Sequence, residues 1–363
     1  MSSYRRATVR SVTKRAPGMS EVDLEFEDGA TGPAVALEEM VGAIAEGNHV
    51  IANITAVELG LGSGGYHFVL WNLSRNSLDT GGEGHIMKLR YTPLQFNVKA
   101  AEEVLGDLDE DEDLSGVLGG MPVIAGSLHS QLLPVALAFR AAWPQGKLVY
   151  VMTDGGALPA VFSNTARFLR ENGYLESVIT CGNAFGGDLE AVGIHGALVV
   201  ARCLARADAV VALMGPGIVG TGSNLGFSGM EQGIIINAAE SLGGAPVAIA
   251  RITFADARDR HRGLSHHTVS ALKYGARAAA TIALPLMQGA RGDLAREQLA
   301  QAELGSAHEV REIDATGIGK LMEECELKGT VMGRGFDREP EFFMAAAAAG
   351  IIAARIGGGN GGV

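Results

Sequence analysis

From about residue 7 to residue 73 the chain alternates apolar and polar positions in short runs. RATVRSV, EVDLEFEDG, GNHVIANIT and YHFVLWNL are separated by Gly, Pro, Asn and Asp, the pattern of strands with one buried face. They predict a small β-barrel or sandwich-like domain. From residue 121 the alternation gives way to short, continuously apolar runs: MPVIAG, KLVYVMTD, SVITCG, ADAVVALMG, APVAIARITF and ATIALP. Helix-length segments lie between them, at about 130–143, 158–172, 187–205, 228–242 and 265–277, and HEVREID adds a strand from residue 308. Apolar strands spaced by helices indicate a parallel sheet covered on both faces. The predicted fold class is α/β: a small N-terminal β-barrel or sandwich-like domain, then a Rossmann-like, doubly wound, mostly parallel sheet domain.

Composition sharpens the boundaries. Eight acidic residues and no basic one fall between Glu102 and Asp113, so residues 100–120 read as a solvated linker. The division expected is 1–99, linker 100–120, α/β domain 121–354, and a flexible glycine-rich tail 355–363. The formal net charge is −12, much of it from that acidic stretch, and no basic face of the kind nucleic acid requires is evident. The N-terminus is basic but lacks an apolar core, so no signal peptide is expected. The apolar run 342–354 is short for a bilayer crossing and reads as a buried helix. Its alanines make a homo-oligomer plausible. Three widely spaced cysteines, Cys181, Cys203 and Cys325, form neither a disulfide framework nor a CxxC site, which suits a reducing cytoplasm.

Ligands of open parallel sheets bind outside the carboxyl ends of the strands, and this chain's unusual residues follow its predicted strands. Residues 215–229 contain six glycines, which let backbone N–H groups approach an anion. Gly215, Gly217, Gly220, Thr221, Gly222, Ser223 and Ser228 are candidate binding residues, and Ser228 with Glu231 has capping-box spacing. The letters fit GxGxxG, but after the fourth predicted strand rather than the first, so NAD is not assigned and no cofactor is named. DRHRGLSHHT places His261, His266 and His267 beside Arg258, Arg260 and Arg262. Arginines suit a carboxylate or phosphate, and histidine suits proton transfer near neutral pH. Adjacent residues diverge by about 100° on a helix, so one of His266 and His267 is expected to be structural. His266, His129, Asp154 and Asp188 are candidate catalytic groups, and His129, Asp154 and Asp188 are candidate ligands of a divalent metal. Cys181 is read as a core residue before a nucleophile. In the first domain His85, Lys88 and Arg90 are candidate anion contacts, with Lys88 and Arg90 on one face of an extended strand.

Taken together, NITAVELGLGSGGYHFV, GHIMKLRYTPLQ, AGSLHSQLLPVALAF, YVMTDGGALP, AFGGDLEAV, MGPGIVGTGSNLGFSG and HRGLSHHT resemble an uncharacterised bacterial family, catalogued as a domain of unknown function, from about residue 5 to residue 354. The resemblance implies that the two parts form one unit and implies no activity, substrate or cofactor. The residues themselves support an enzyme acting on a small anionic, phosphorylated or nucleotide-like metabolite. A non-catalytic metabolite sensor or scaffold and a metal-dependent hydrolase are the alternatives. No membrane or nucleic-acid partner is expected.

Overall fold

The computed structural model describes residues 2–79, 83–105 and 113–359. It divides into two compact units, Met1–Lys99 and Ala100–Val363.

In the first unit β1 (Tyr4–Ala16), β2 (Met19–Phe26), β3 (Thr31–Leu37), β4 (His49–Asn53) and β5 (His67–Asn72) close into a barrel of order β1-β2-β3-β5-β4. Four of these strands carry the alternation seen in the sequence. Inward residues such as Val9, Leu24, Val50 and Val69 form the core. The fifth, β3, was not expected, because Ala34, Val35 and Ala36 are three consecutive buried residues behind a Gly-Pro. It closes the barrel by pairing in parallel with β5, Ala34 opposite His67. One-turn helices α1 (Glu38–Val41) and α2 (Thr55–Glu58) flank β4. A separate antiparallel pair, β6 (Ile86–Lys88) and β7 (Phe96–Val98), follows.

The second unit is an eight-stranded, all-parallel sheet. Its strands are β8 (Pro122–Ala125), β9 (Leu148–Thr153), β10 (Ser177–Cys181), β11 (Leu189–Ala191), β12 (Ala209–Met214), β13 (Ala245–Ile249), β16 (Thr281–Pro285) and β17 (Glu309–Ile313), in the order β11-β10-β9-β12-β8-β13-β16-β17. Between β13 and β16 a two-stranded ribbon, β14 (Ile252–Thr253) with β15 (Gly263–Leu264), leaves the sheet. Alternate strand residues feed two cores, as a period of two requires. Tyr150, Met152 and Leu213 pack with α3 (Leu132–Ala142), α4 (Asn164–Glu171), α9 (Ile318–Glu324) and α10 (Pro340–Gly357). Val149, Val151 and Ala212 pack with α5 (Ile194–Cys203), α6 (Glu231–Ser241) and α8 (Gly289–Gln301). The remaining helix, α7 (His266–Ser270), runs into a π-helical turn at Ala271–Gly275.

Several expected boundaries change. Residues 187–205 hold the short strand β11 before α5, so the glycine-rich loop follows the fifth sheet strand rather than the fourth. APVAIARITF divides into β13 and β14, because the chain leaves the sheet at Ala250 and Arg251. Ala101 and Leu118, at the two ends of the expected linker, are buried in the α/β core; residues 106–112 between them lie outside the described residues. The expected tail begins inside α10, which continues to Gly357, and residues 360–363 are not described. By length and composition α10 meets the requirement for a membrane span, yet 67% of it is buried inside the protein. Its alanines at 345–349 are fully buried, 346–349 in the core that also holds α3 and Ala345 in the other, so they supply no surface for a second subunit.

The order of strands creates the places where a ligand can sit. From β8 the chain crosses towards β9 on one side, whereas from β13 it proceeds to β16 on the other. The neighbours β8 and β13 therefore send their connections apart, as do β9 and β12, and such switch points open crevices at strand carboxyl ends. At β9/β12 the loops zip together before diverging, with the Ala157 N–H donating to Pro216 O at 2.6 Å. A Cβ on Gly156 would lie 2.3 Å from Gly215 O. Gly156→Ala is thus expected to cost about 1–3 kcal/mol through overpacking, read as a lower midpoint in urea at unchanged slope; an unchanged midpoint would show that the loops can separate. At β8/β13 the crevice is spanned instead by Gln232, whose Nε2 donates to Ala125 O at 2.8 Å and to Ile249 O at 2.9 Å.

Candidate functional site

The β14–β15 ribbon folds residues 251–265 back on themselves, with a single 3-10 turn at Asp259–His261. Pairing of Ile252 with Leu264 returns the chain to the end of β13, where Ser265 accepts from the His267 N–H and caps α7. The buried Glu339 carboxylate anchors the ribbon by accepting from Thr253 Oγ1 at 2.7 Å and from Arg334 Nη2 at 2.8 Å.

This excursion brings three imidazoles together. The ring centroids of His261, His266 and His267 are 4.5–4.8 Å apart, and one ligand atom from each lies within 4.8 Å of the others. The expectation that His266 and His267 diverge is corrected here. Both occupy the first turn of α7, where Cα–Cβ bonds lean towards the helix N-terminus, so rings leaving different faces meet above its end. Phe227, the last aromatic of the glycine-rich stretch, stacks on His267 at 3.8 Å and 4°.

Charge surrounds the trio. Arg251 is 2% exposed, and its Nη1 donates to His267 Nδ1 at 2.9 Å. Asp256 lies 3.8 Å from Arg251 and forms a two-point pair with Arg258 at 2.8 and 2.9 Å. Burial, helped by Arg258, holds Arg251 down at about 10, and the hydrogen bond from Arg258 holds Asp256 well below the usual carboxylate range. Burial first, then Arg251, pushes His261 down to about 3 and His267 to about 2. His266 is lowered by burial and by Arg260. All three rings are neutral at pH 7.

An arginine only donates, so His267 Nδ1 accepts and its proton sits on Nε2. A metal would need that lone pair. His267 therefore presents an N–H, and with Arg251, Arg258 and Arg260 the surroundings favour an electron-rich ligand over a cation.

The glycine-rich loop meets this cluster: Arg260 Nη1 donates to Gly222 O at 2.5 Å. Gly217 and Gly222 have φ of +93° and +88°, which glycine adopts without strain. The hydroxyls expected to bind a ligand hold the loop itself together. Thr221 Oγ1 donates to Gly226 O at 3.1 Å, Ser223 Oγ accepts from the Gly226 N–H at 2.9 Å, and Ser228 Oγ accepts from the Val219 N–H at 3.3 Å. Gly220 bridges to Phe227 and Gly215 abuts Ala157 O. The expected capping box does not form. A 3-10 turn, Ser228–Met230, precedes α6, and the Glu231 carboxylate instead accepts from Thr153 Oγ1 at 2.8 Å. Burial pushes Glu231 up to about 7, with Asp154 adding to the rise.

The other candidates are placed apart. Asp154 Oδ2 accepts from the Asn183 N–H at 2.9 Å, at the carboxyl end of the sheet. Asp188 Oδ2 accepts from the Val178 N–H and pairs with Arg170 at 3.0 Å, at the opposite end of β10. His129 Nε2 lies 2.9 Å from Ser163 Oγ, and its Nδ1 3.4 Å from Tyr150 OH, which donates to Met214 O. Tyr150 spends its proton on that carbonyl, so His129 Nδ1–H points at Tyr150 and Nε2 accepts from Ser163; both nitrogens are committed. Burial lowers this histidine to about 4. Asp154, Asp188 and His129 thus do not assemble into a metal site; among the described residues the only such group is the three histidines. Cys181 is buried in the core. Arg262 is exposed, its carbonyl accepting from Gln298 Nε2. In the first unit His85 is exposed, Lys88 is buried, and Arg90 is exposed after Leu89 at φ +48°. The strand ends at Lys88, so Lys88 and Arg90 do not share a strand face.

Arg251, Phe227, Gln131, Gln232 and Glu231 as a buried carboxyl were not anticipated. Arg251 alone left a signal, as a lone cation inside the apolar run APVAIARITF.

Fold and site define a two-unit α/β protein: a small barrel, and a Rossmann-like parallel sheet whose polar cluster lies beyond the carboxyl ends of its central strands. The chain belongs to the family described as Protein of unknown function (DUF3866), which it matches over residues 33–350. No curated protein and no solved structure matches it.

Proposed function

We propose that this protein is a cytoplasmic bacterial enzyme acting on a small anionic metabolite, phosphorylated or nucleotide-like, held beside the His261, His266 and His267 cluster. The observation that carries this reading is the hydrogen bond from Arg251 to His267 Nδ1, which turns His267 into a fixed donor next to three arginines. Arg260 and the backbone of the Gly222 turn neutralise the anion. His266 is the proton carrier: neither ring nitrogen has a hydrogen-bond partner among the described residues, whereas those of His129 are both engaged. Glu231, near neutrality and one helical turn from Phe227, supplies a second proton-exchanging group. The free cysteines, two of them buried, accord with a reducing compartment.

His266→Ala removes no hydrogen bond, so it is expected to change stability by no more than about 1 kcal/mol, the scale of its ring contacts. Turnover of phosphorylated metabolites, screened as a panel, is expected to fall at least about 100-fold. Inorganic phosphate is the binding probe: at saturation it should raise the melting temperature of the parent protein and of H266A, but not of Arg260→Ala. An H266A protein that unfolds, or a parent protein blind to phosphate, removes this reading.

A further inference from the structure

We infer that the crevice between β8 and β13 is a specificity pocket that reads a nucleobase edge, so that the ligand is a nucleoside phosphate; this rests on the anion site proposed above. Thirteen buried side-chain atoms lack a hydrogen-bond partner among the described residues, and six of them gather here: Ser127 Oγ, Gln131 Nε2, Gln232 Oε1, Arg251 Nε and both nitrogens of His266. Buried polar atoms in native proteins are paired as a rule, and orphans concentrated at these strand ends require a partner that the described residues do not supply.

Their chemistry is fixed by the backbone. Gln131 Oε1 accepts from the N–H groups of Ser127 and Leu128 at 2.9 and 3.0 Å, which leaves its amide NH2 as a donor. Gln232 spends its NH2 on Ala125 O and Ile249 O, which leaves its carbonyl as an acceptor. Ser127 offers both. A neighbouring donor and acceptor match the acceptor–donor edge that every nucleobase carries. The crevice is continuous with the anion cluster: a Cβ on Gly229 would lie 3.2 Å from both Ser127 Cβ and the Phe227 ring. Phe227 in turn contacts His266 and His267. An aromatic base fits this aromatic wall. The six atoms are sealed from solvent in this structure, so the glycine-rich loop must carry Phe227 aside before a base can enter.

Calorimetry on the full chain at pH 7 tests this with inorganic phosphate, ribose 5-phosphate and the four common nucleoside monophosphates. At least one nucleotide is expected to bind about 100-fold more tightly than ribose 5-phosphate, because a site built to hydrogen-bond rejects a ligand without the partner groups. Gln131→Glu, which keeps the acceptor for the Ser127 and Leu128 N–H groups but loses the free NH2, should abolish that preference while leaving ribose 5-phosphate affinity near that of the parent. Gln131→Met should abolish it too, at a melting temperature lowered by the two N–H groups it strands, so the ratio of nucleotide to ribose 5-phosphate affinity is the readout for both variants. Equal affinity for all phosphates means that buried water satisfies the orphans, and overturns the pocket while the anion site stands. No binding of any phosphate removes both.

Discussion

Arg251→Met is expected to destabilise the α/β unit by about 3 kcal/mol, at the low end of the cost of removing one partner from a buried ion pair. The guanidinium is 2% exposed and touches two groups at once. Its loss leaves His267 Nδ1 without a donor in a stacked, enclosed position. It also leaves Asp256 with Arg258 alone, which retains part of that pair and explains the low end of the range. For a unit of this size the shift is roughly 6–12 °C in melting temperature. The same substitution frees the His267 tautomer, so the stabilisation by inorganic phosphate should vanish with it. Arg262→Ala, an exposed neighbour in sequence, is the control and should change stability by less than about 0.5 kcal/mol. An R251M protein as stable as its parent would mean that Arg251 is not the keystone of the cluster.

Acid should weaken the fold earlier than carboxylate titration alone would. His129, His261 and His267 sit near 4, 3 and 2 in the folded chain, against an ordinary value of 6.5. Between pH 6.5 and about 4.5 they are neutral when folded and protonated when unfolded. Their contribution is therefore complete above that ordinary value and drains away as pH falls. Glu231 runs the other way: near 7 when folded against 4.5 when free, it holds a proton in the fold that it releases on unfolding. Three imidazoles gaining a proton against one carboxyl losing one leave a net uptake of about two protons, on the order of 2 kcal/mol per pH unit near pH 5.5 after allowance for solvent screening. Urea titrations across about pH 4.5–7 measure that slope. His267→Gln, whose amide oxygen still accepts from Arg251, should lower it by about one proton, and Glu231→Gln should raise it by about one. Stability that is flat, or that rises as the solution is acidified, would show that these histidines are protonated in the folded protein.

Much of the fold is legible along the chain because burial is periodic. The one-sided alternation of β1, β2, β4 and β5 and the continuous apolar runs of the sheet strands each follow from which faces are covered. β3 and β11 escaped for the same reason: AVA alternates nothing, and LEA is three residues long. The site is legible in location but not in roles. Glycines and histidines after strands marked the carboxyl ends, since short-range geometry demands glycine at the Gly222 turn and polarity is tolerated where the sheet stops. Spacing misjudged His266 and His267, because a rule for helix sides fails above a helix end. It grouped Asp154 with Asp188, because strand length separates them only once β11 is placed beside β10.

By itself the sequence determined two units, a barrel and a parallel α/β sheet, and the strand ends where polar chemistry collects, since these depend on local pattern and on the free energy of burying apolar faces. Only the tertiary structure decided which polar groups are spent and which are left over. His129 is satisfied by Ser163 and Tyr150, His267 is locked by Arg251, and His266, Gln131 and Gln232 keep atoms without partners among the described residues. A hydrogen bond or an ion pair can join residues far apart in the chain. Gln232 and Ala125 are separated by 107 positions, and their bond exists only because the sheet has brought them to 2.8 Å.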